Sequence, residues 1–173
     1  MTKSGVHGDS DTTGSHGEGM QNSLGFTLAQ LGMETSRRFS SVVGEFGLEP
    51  RDFAVLFATS DEPDQSQQAV GERLSIPASS MVAIVDRLEA GGFVERRAHA
   101  TDRRTRSLRL TASGQRVLAK TLDAAARHEA TIARGLHERE RATLLTLLRR
   151  VAENLDVPDG ALPDRGSGRR RAP

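Results

Sequence analysis

Apolar positions at Leu24, Leu28, Leu31, Thr35, Phe39, Val42 and Phe46 recur in steps of three and four, which predicts one stripe along a long helix. Gly47 and Pro50 in the run EFGLEP end it. Phe53, Leu56 and Phe57 predict a second helix, closed by SDEPDQS, and QQAVGERL supplies a third. Gly71 inside that third helix costs about 1 kcal/mol relative to alanine, so a small residue there points to a close helix contact. Pro77 sits where a first-turn proline is tolerated, and Met81, Ile84, Val85 and Leu88 mark the inner face of a fourth helix that Gly91 and Gly92 terminate. The opposite face, Ala78, Ser79, Val82 and Ala83, is small and mostly uncharged.

The period then changes from helical to alternating. FVERR and RSLRL read as two short strands, with Leu108 and Leu110 on one side of the second and Ser107 and Arg109 on the other. Thr111 before Ala-Ser-Gly caps a fifth helix carrying Leu118, Leu122, Ala125, Glu129, Ile132 and Leu136, and a last helix carries Leu144, Leu147, Leu148, Val151 and Leu155. Met33 and Met81 lie on helical stripes and read as packing residues. Four helices, a hairpin and two helices make a mainly α chain with a small β-hairpin wing: a winged helix-turn-helix over residues 50–111, flanked by helices at 24–47 and 113–156. The flanking stripes carry more apolar surface than a single winged domain can cover, so a homodimer is expected, with Leu24, Leu28, Leu31, Leu144, Leu148 and Val151 at its interface.

Composition sharpens this picture in four places. The 173 residues carry 24 Lys and Arg against 23 Asp and Glu, so bulk charge announces no polyanion partner. The distribution is uneven: Arg96, Arg97, Arg103, Arg104, Arg106 and Arg109 crowd one stretch that holds only Glu95 and Asp102 as acids. Cysteine is absent, which excludes disulfides, thiolate nucleophiles and thiol-based redox sensing. No apolar run approaches the roughly 20 residues of a membrane span, and the N-terminus lacks an apolar signal core, so no membrane partner and a cytoplasmic location are expected. Residues 1–22 and 158–173 have almost nothing to bury and are expected to be disordered tails around a single regulator domain at 23–157; the second tail ends in the basic run GRRRAP.

The fourth helix and the cationic hairpin together suggest chemistry. A helix with a small outer face fits the major groove of a DNA duplex, about 12 Å wide, while a basic ribbon reaches the neighbouring minor groove. Ser79, Ser80, Val82 and Ala83 would then face the major groove, and Arg103, Arg104 and Arg106 the narrow groove, where a weakly hydrated, planar guanidinium suits the strong negative potential. Ser79 and Ser80 are also open to a plain helix-capping role, and Asp102 to a plain turn. Enzyme motifs lead nowhere. His128-Glu129 and His137-Glu138 begin a zinc-helix pattern, but Ile132 and Arg141 stand where the second histidine belongs. Gly14, Gly17 and Gly19 follow no strand, so no catalytic residue, metal or cofactor is expected.

Asp102-x-Arg104 followed by Leu110-Thr111, with VDRLEAGGFVERR upstream and a helix pair downstream, resembles the multiple-antibiotic-resistance regulator (MarR) family over about residues 24–156. The resemblance implies a homodimer with intertwined terminal helices, an inverted-repeat DNA operator, a repressor's role and, as in many relatives, a small aromatic or anionic effector. It aligns Ser79 and Ser80 with a polar pair at the start of the recognition helix, Arg104 with the minor-groove arginine, Asp102 with the acid that orients it, and Arg87 with a basic position near the DNA backbone. Ala83 departs from the pattern, since many relatives place a cationic or polar reader there. A protein-interaction scaffold that has lost DNA reading is therefore the alternative. By the same resemblance Phe26, Arg37, Phe53 and Phe57 border an effector cavity, with ordinary core packing the preferred alternative for the phenylalanines.

Overall fold

The computed structural model describes Gly19, residues 23–98 and residues 106–158. The expected tails at 1–22 and 158–173 fall almost wholly outside the described residues, and Asp102, Arg103 and Arg104 lie outside them too. Among the described residues the order is α1 (Leu24–Gly44), α2 (Pro50–Asp61), α3 (Gln67–Arg73), α4 (Ala78–Ala90), β1 (Val94–Ala98), β2 (Arg106–Leu110), α5 (Ala112–Ile132) and α6 (Glu138–Asn154). The chain divides into two compact units, residues 1–38 and residues 39–173.

The described part of the first unit is the N-terminal stretch of α1. Leu24, Phe26, Leu31 and Met33 are exposed in the single chain, Met33 at 70%. Arg37 and Arg38 both bond Glu34 one turn away.

The second unit holds the core. Helix α1 ends in a left-handed glycine, Gly47 at φ 70°, with Leu48 N–H donating to Val43 O at 3.3 Å and Gly47 N–H to Gly44 O at 3.0 Å. This reciprocal ending brings Val43 and Leu48 together as its apolar pair, and both are buried. The residue that anchors this turn is thus Val43, whereas the stripe placed Val42 inward. Helix α2 starts with proline at its first turn and buries Val55, Leu56 and Ala58. Ser66 caps α3 by accepting from Ala69 N–H at 3.0 Å. Pro77 stands one position earlier than expected, as the residue before α4 rather than in its first turn. A Cβ on Gly71 would lie 3.4 Å from Ile76 O and from Met81 Cγ, which is the close helix approach that its small size indicated.

β1 and β2 pair antiparallel with Val94 opposite Leu110 and Arg96 opposite Leu108. On its other edge β2 meets the segment before α3: Leu108 N–H donates to Gln65 O at 2.9 Å, and Ser66 bridges Ser107. Ser107 is consequently buried, although simple alternation placed it outward with Arg109. Met81, Ile84, Val85, Leu88, Val94, Leu108, Leu110 and Leu118 join Val43, Leu48, Val55, Leu56 and Val70 in one core.

Thr111 caps α5 as its hydroxyl predicted, accepting from Gly114 N–H at 3.0 Å. The inward line of α5 is Leu118, Thr121 and Ala124; Leu122, Ile132 and Leu136 of the expected stripe are exposed. In α6 no residue is buried, and Leu144, Leu147 and Leu148 lie open. No described helix is long and apolar enough to cross a membrane.

Candidate nucleic-acid interface

Helix α4 shows two faces because its apolar residues repeat at helical spacing. Met81, Ile84, Val85 and Leu88 are buried, while Ala78, Ser79, Val82 and Ala83 are exposed and Ser80 is half-buried. The helix begins at Ala78 with Pro77 at the capping position, so neither serine is its cap. Both occupy the first turn, where Ser79 is open to an approaching groove.

Charge on the hairpin is less available than its sequence suggests. Arg109 makes a two-pronged pair with Asp64, at 2.7 and 3.2 Å, and Arg97 pairs with Glu95 at 2.6 Å. Arg96 bonds Asp86 and Glu89 on α4. Arg106 is exposed and has no ion pair among the described residues. It lines a cleft of about 590 Å³ with Ser66, Gln68, Gly71, Met81 and Val82, bounded by α3, the first half of α4 and the base of the wing. Ser66 and Gln68 were not singled out from the sequence; the serine's capping pattern at the start of SQQAVGER was the one available signal.

Arg87 is half exposed and also pairs with two carboxylates of the protein. Its Nη2 donates to Asp52 Oδ1 at 2.6 Å and lies 3.5 Å from Glu49 Oε2. Asp52, 1% exposed, also accepts from Glu49 N–H at 2.8 Å and so caps α2. The bond from Asp52 raises the Arg87 pKa against a smaller opposing effect of burial. Asp52→Ala is therefore expected to cost about 1–2 kcal/mol, mostly from the lost cap. Urea unfolding followed by circular dichroism checks this, and an unchanged midpoint would show that the cap adds nothing.

The four residues aligned with an effector cavity divide between the units. Phe26 and Arg37 belong to the first. Arg37 lies 70% exposed and bonds Glu34 at 2.8 and 2.9 Å. Hydrogen bonds from Arg37 and then Arg38 hold the Glu34 carboxyl down at about 2. The pair is intact at neutral pH and is lost only as pH falls through that value. In the second unit Phe53 is half-buried, meeting Phe39 edge-on at 5.6 Å and Phe57 face-on at 6.4 Å, while Phe57 is 45% exposed. Phe53 packs, partly buried, against the core. Of the expected interface residues, Leu24, Leu31, Leu144 and Leu148 are exposed, and Leu28 and Val151 are half-buried. Among the described residues no group of three or more metal-ligating side chains occurs.

Comparison with known proteins agrees with this architecture. Residues 46–105 match the family model described as the MarR family. The chain is 31% identical over 137 residues to a Thauera aromatica protein named as a candidate transcriptional regulatory protein for the hcr operon, covering 79% of this chain and 82% of the relative. Among solved structures it is similar to the transcriptional repressor CouR bound to a 23-mer DNA duplex, with TM-score 0.70, 29% identity, and coverage of 83% and 99% of the two chains. It is also similar to the PcaV transcriptional regulator from Streptomyces coelicolor in complex with its natural ligand, with TM-score 0.68, 29% identity, and coverage of 79% and 96%. These relatives are transcriptional regulators, not enzymes. With a helix-turn-helix packed on the core, an arginine-bearing hairpin and kinship across four-fifths of its length, the chain belongs to the MarR family of transcriptional regulators.

Proposed function

We propose that the chain is a homodimeric repressor that reads an inverted-repeat operator in double-stranded DNA and releases it on binding a small aromatic or anionic effector. The observation that carries the DNA reading is the juxtaposition of the small, uncharged outer face of α4 with exposed Arg106 at the base of the wing. A helix without bulky side chains enters a major groove, and the ribbon beside it supplies cations to the adjacent backbone and minor groove. The structural likeness to CouR bound to DNA supports the same use of the fold. Arg103, Arg104 and Asp102 complete the wing in this reading, with Arg104 in the groove and Asp102 orienting it.

The open apolar faces of α1 and α6 support the dimer, since leucines such as Leu31, at 57%, and Leu147, at 50%, stay in contact with water unless a second copy covers them. Sedimentation equilibrium is expected to give twice the chain mass; a monomer at micromolar concentration would refute this part. The likeness to ligand-bound PcaV supports an effector. Such a compound must bind the DNA-free form more tightly, raising the melting temperature and lowering operator affinity together. A screen of aromatic acids and their thioesters tests this: a hit must move both quantities, and stabilisation alone disqualifies it.

Selection from a randomised duplex pool, followed by fluorescence polarisation, tests the DNA reading. Enrichment of a palindromic duplex is expected, and no enrichment at any salt would instead favour a protein-interaction scaffold. Arg104→Ala is expected to weaken binding of the enriched duplex by about 1–3 kcal/mol with the oligomeric state unchanged. Undiminished affinity would remove Arg104 from the groove.

A further inference from the structure

Arg96 connects three elements through one side chain. It stands on β1 opposite Leu108 and two positions from buried Val94, so strand alternation turns it to the inner side of the hairpin, where its side chain is only 17% exposed. Its Nε donates to Gln67 Oε1 on α3 at 3.3 Å, its Nη1 to Glu89 Oε2 on α4, and its Nη2 to Asp86 Oδ1 on α4. The Arg96 backbone N–H also donates to Glu89, at 3.2 Å. Asp86 and Glu89 are one helical turn apart, so both carboxylates face the wing together. Two carboxylates more than balance one guanidinium, which leaves no positive charge there for a phosphate.

We propose that Arg96 is a positioning residue: a three-way clamp that sets the angle between the wing and both helices of the helix-turn-helix, and thereby the selectivity of DNA reading, without touching DNA. The clamp is a property of the free protein; only its effect on selectivity rests on the function proposed above. Wing and recognition helix address adjacent grooves, so a matched duplex gains both sets of contacts only when their relative orientation is fixed. A loosened wing still finds phosphates on any duplex. Losing the clamp therefore removes preference for the matched sequence more than it removes general attraction. The planar, five-donor guanidinium is required, because a lysine ammonium cannot span three acceptors on two helices in this geometry.

The full chain, Arg96→Gln, Arg96→Lys and the double variant Asp86→Asn/Glu89→Gln are compared by hydrogen–deuterium exchange and by polarisation. The duplexes are the one enriched by the wild-type chain and a scrambled one of equal length. In Arg96→Gln and in the double variant, amides of residues 94–98 and 106–110 are expected to exchange about tenfold faster while those of α2 and α5 keep their rates. The ratio of matched to scrambled affinity is expected to fall about tenfold, with the salt slope of Arg96→Gln unchanged. The double variant alters exposed side chains only, so it decides the matter even if Arg96→Gln fails to fold. Unchanged wing exchange would overturn the clamp. So would a kept ratio with the Arg96→Gln slope flattened by about one, the mark of an arginine that neutralises a phosphate itself. Full recovery in Arg96→Lys would also overturn it, since charge alone would then suffice. Should the wild-type chain enrich no duplex, the DNA reading falls while the exchange measurements still decide the clamp.

Discussion

Raising monovalent salt from about 50 to about 200 mM is expected to weaken operator binding roughly a thousandfold. The size of this effect follows from which arginines have partners at home. Of the four described arginines between Arg96 and Arg109, three are compensated by carboxylates of the protein: Arg96 by Asp86 and Glu89, Arg97 by Glu95, and Arg109 by Asp64. A guanidinium already neutralised releases no counterion from DNA. The proposed reading brings Arg103, Arg104 and Arg106 to the duplex, which makes six cations in a homodimer. At about 0.9 counterions for each, the slope of log affinity against log salt is about −5, and a fourfold rise in salt then costs about three orders of magnitude. Were all six arginines of each subunit to engage phosphates, the slope would be about twice as steep. Polarisation titrations at four salt concentrations give the slope directly. A value near −11 would show that the internal pairs open on binding, and one near zero that the wing makes no backbone contact.

Gly114→Ala is expected to destabilise the chain by about 3 kcal/mol, at the upper end of the cost of overpacking a tight contact. The reason lies at the junction of wing and α5. Thr111 donates from its hydroxyl to Gly92 O at 2.6 Å and from its backbone N–H to Phe93 O at 3.0 Å, which draws the first turn of α5 onto the end of the hairpin. Gly114 lies in that turn, and a Cβ there would stand 1.9 Å from Phe93 O and 2.9 Å from Phe93 C. These are backbone atoms held by Thr111, so no side-chain rotation relieves the overlap; α5 or β1 has to move. Glycine-to-alanine exchange within a helix is otherwise favourable by about 1 kcal/mol, which makes the predicted sign a strict test. Urea unfolding of both forms measures it. Equal or greater stability in the variant would mean that α5 does not press on Phe93 in this way.

Much of the fold was legible because it rests on local rules. Steps of three and four marked the helices, Gly47, Pro50, Gly91 and Gly92 marked their ends, and Thr111 marked the start of α5. Misreadings occurred where a residue's environment comes from elsewhere in the chain. Val43 displaced Val42 because the left-handed turn at Gly47 folds Leu48 back onto it. Ser107 is buried because the segment at Gln65 and Ser66 covers the second edge of β2. Nor could the sequence show that Arg87, whose side chain stays 47% exposed, bonds Asp52, a residue 35 positions earlier.

The sequence by itself determined the order of elements, the outer face of α4, the concentration of arginine on a hairpin and the absence of thiol chemistry. Periodicity, capping and composition are short-range properties, and each is complete within a few residues of where it is read. Only the tertiary structure decided which of the clustered charges are compensated and which are exposed. Arg109 meets Asp64 across 45 positions, and Arg96 meets Asp86 and Glu89 because β1 lies beside α4. Coulomb attraction acts through distance in space, so the pairing of charges cannot be read until packing has brought distant segments within a few ångströms of one another.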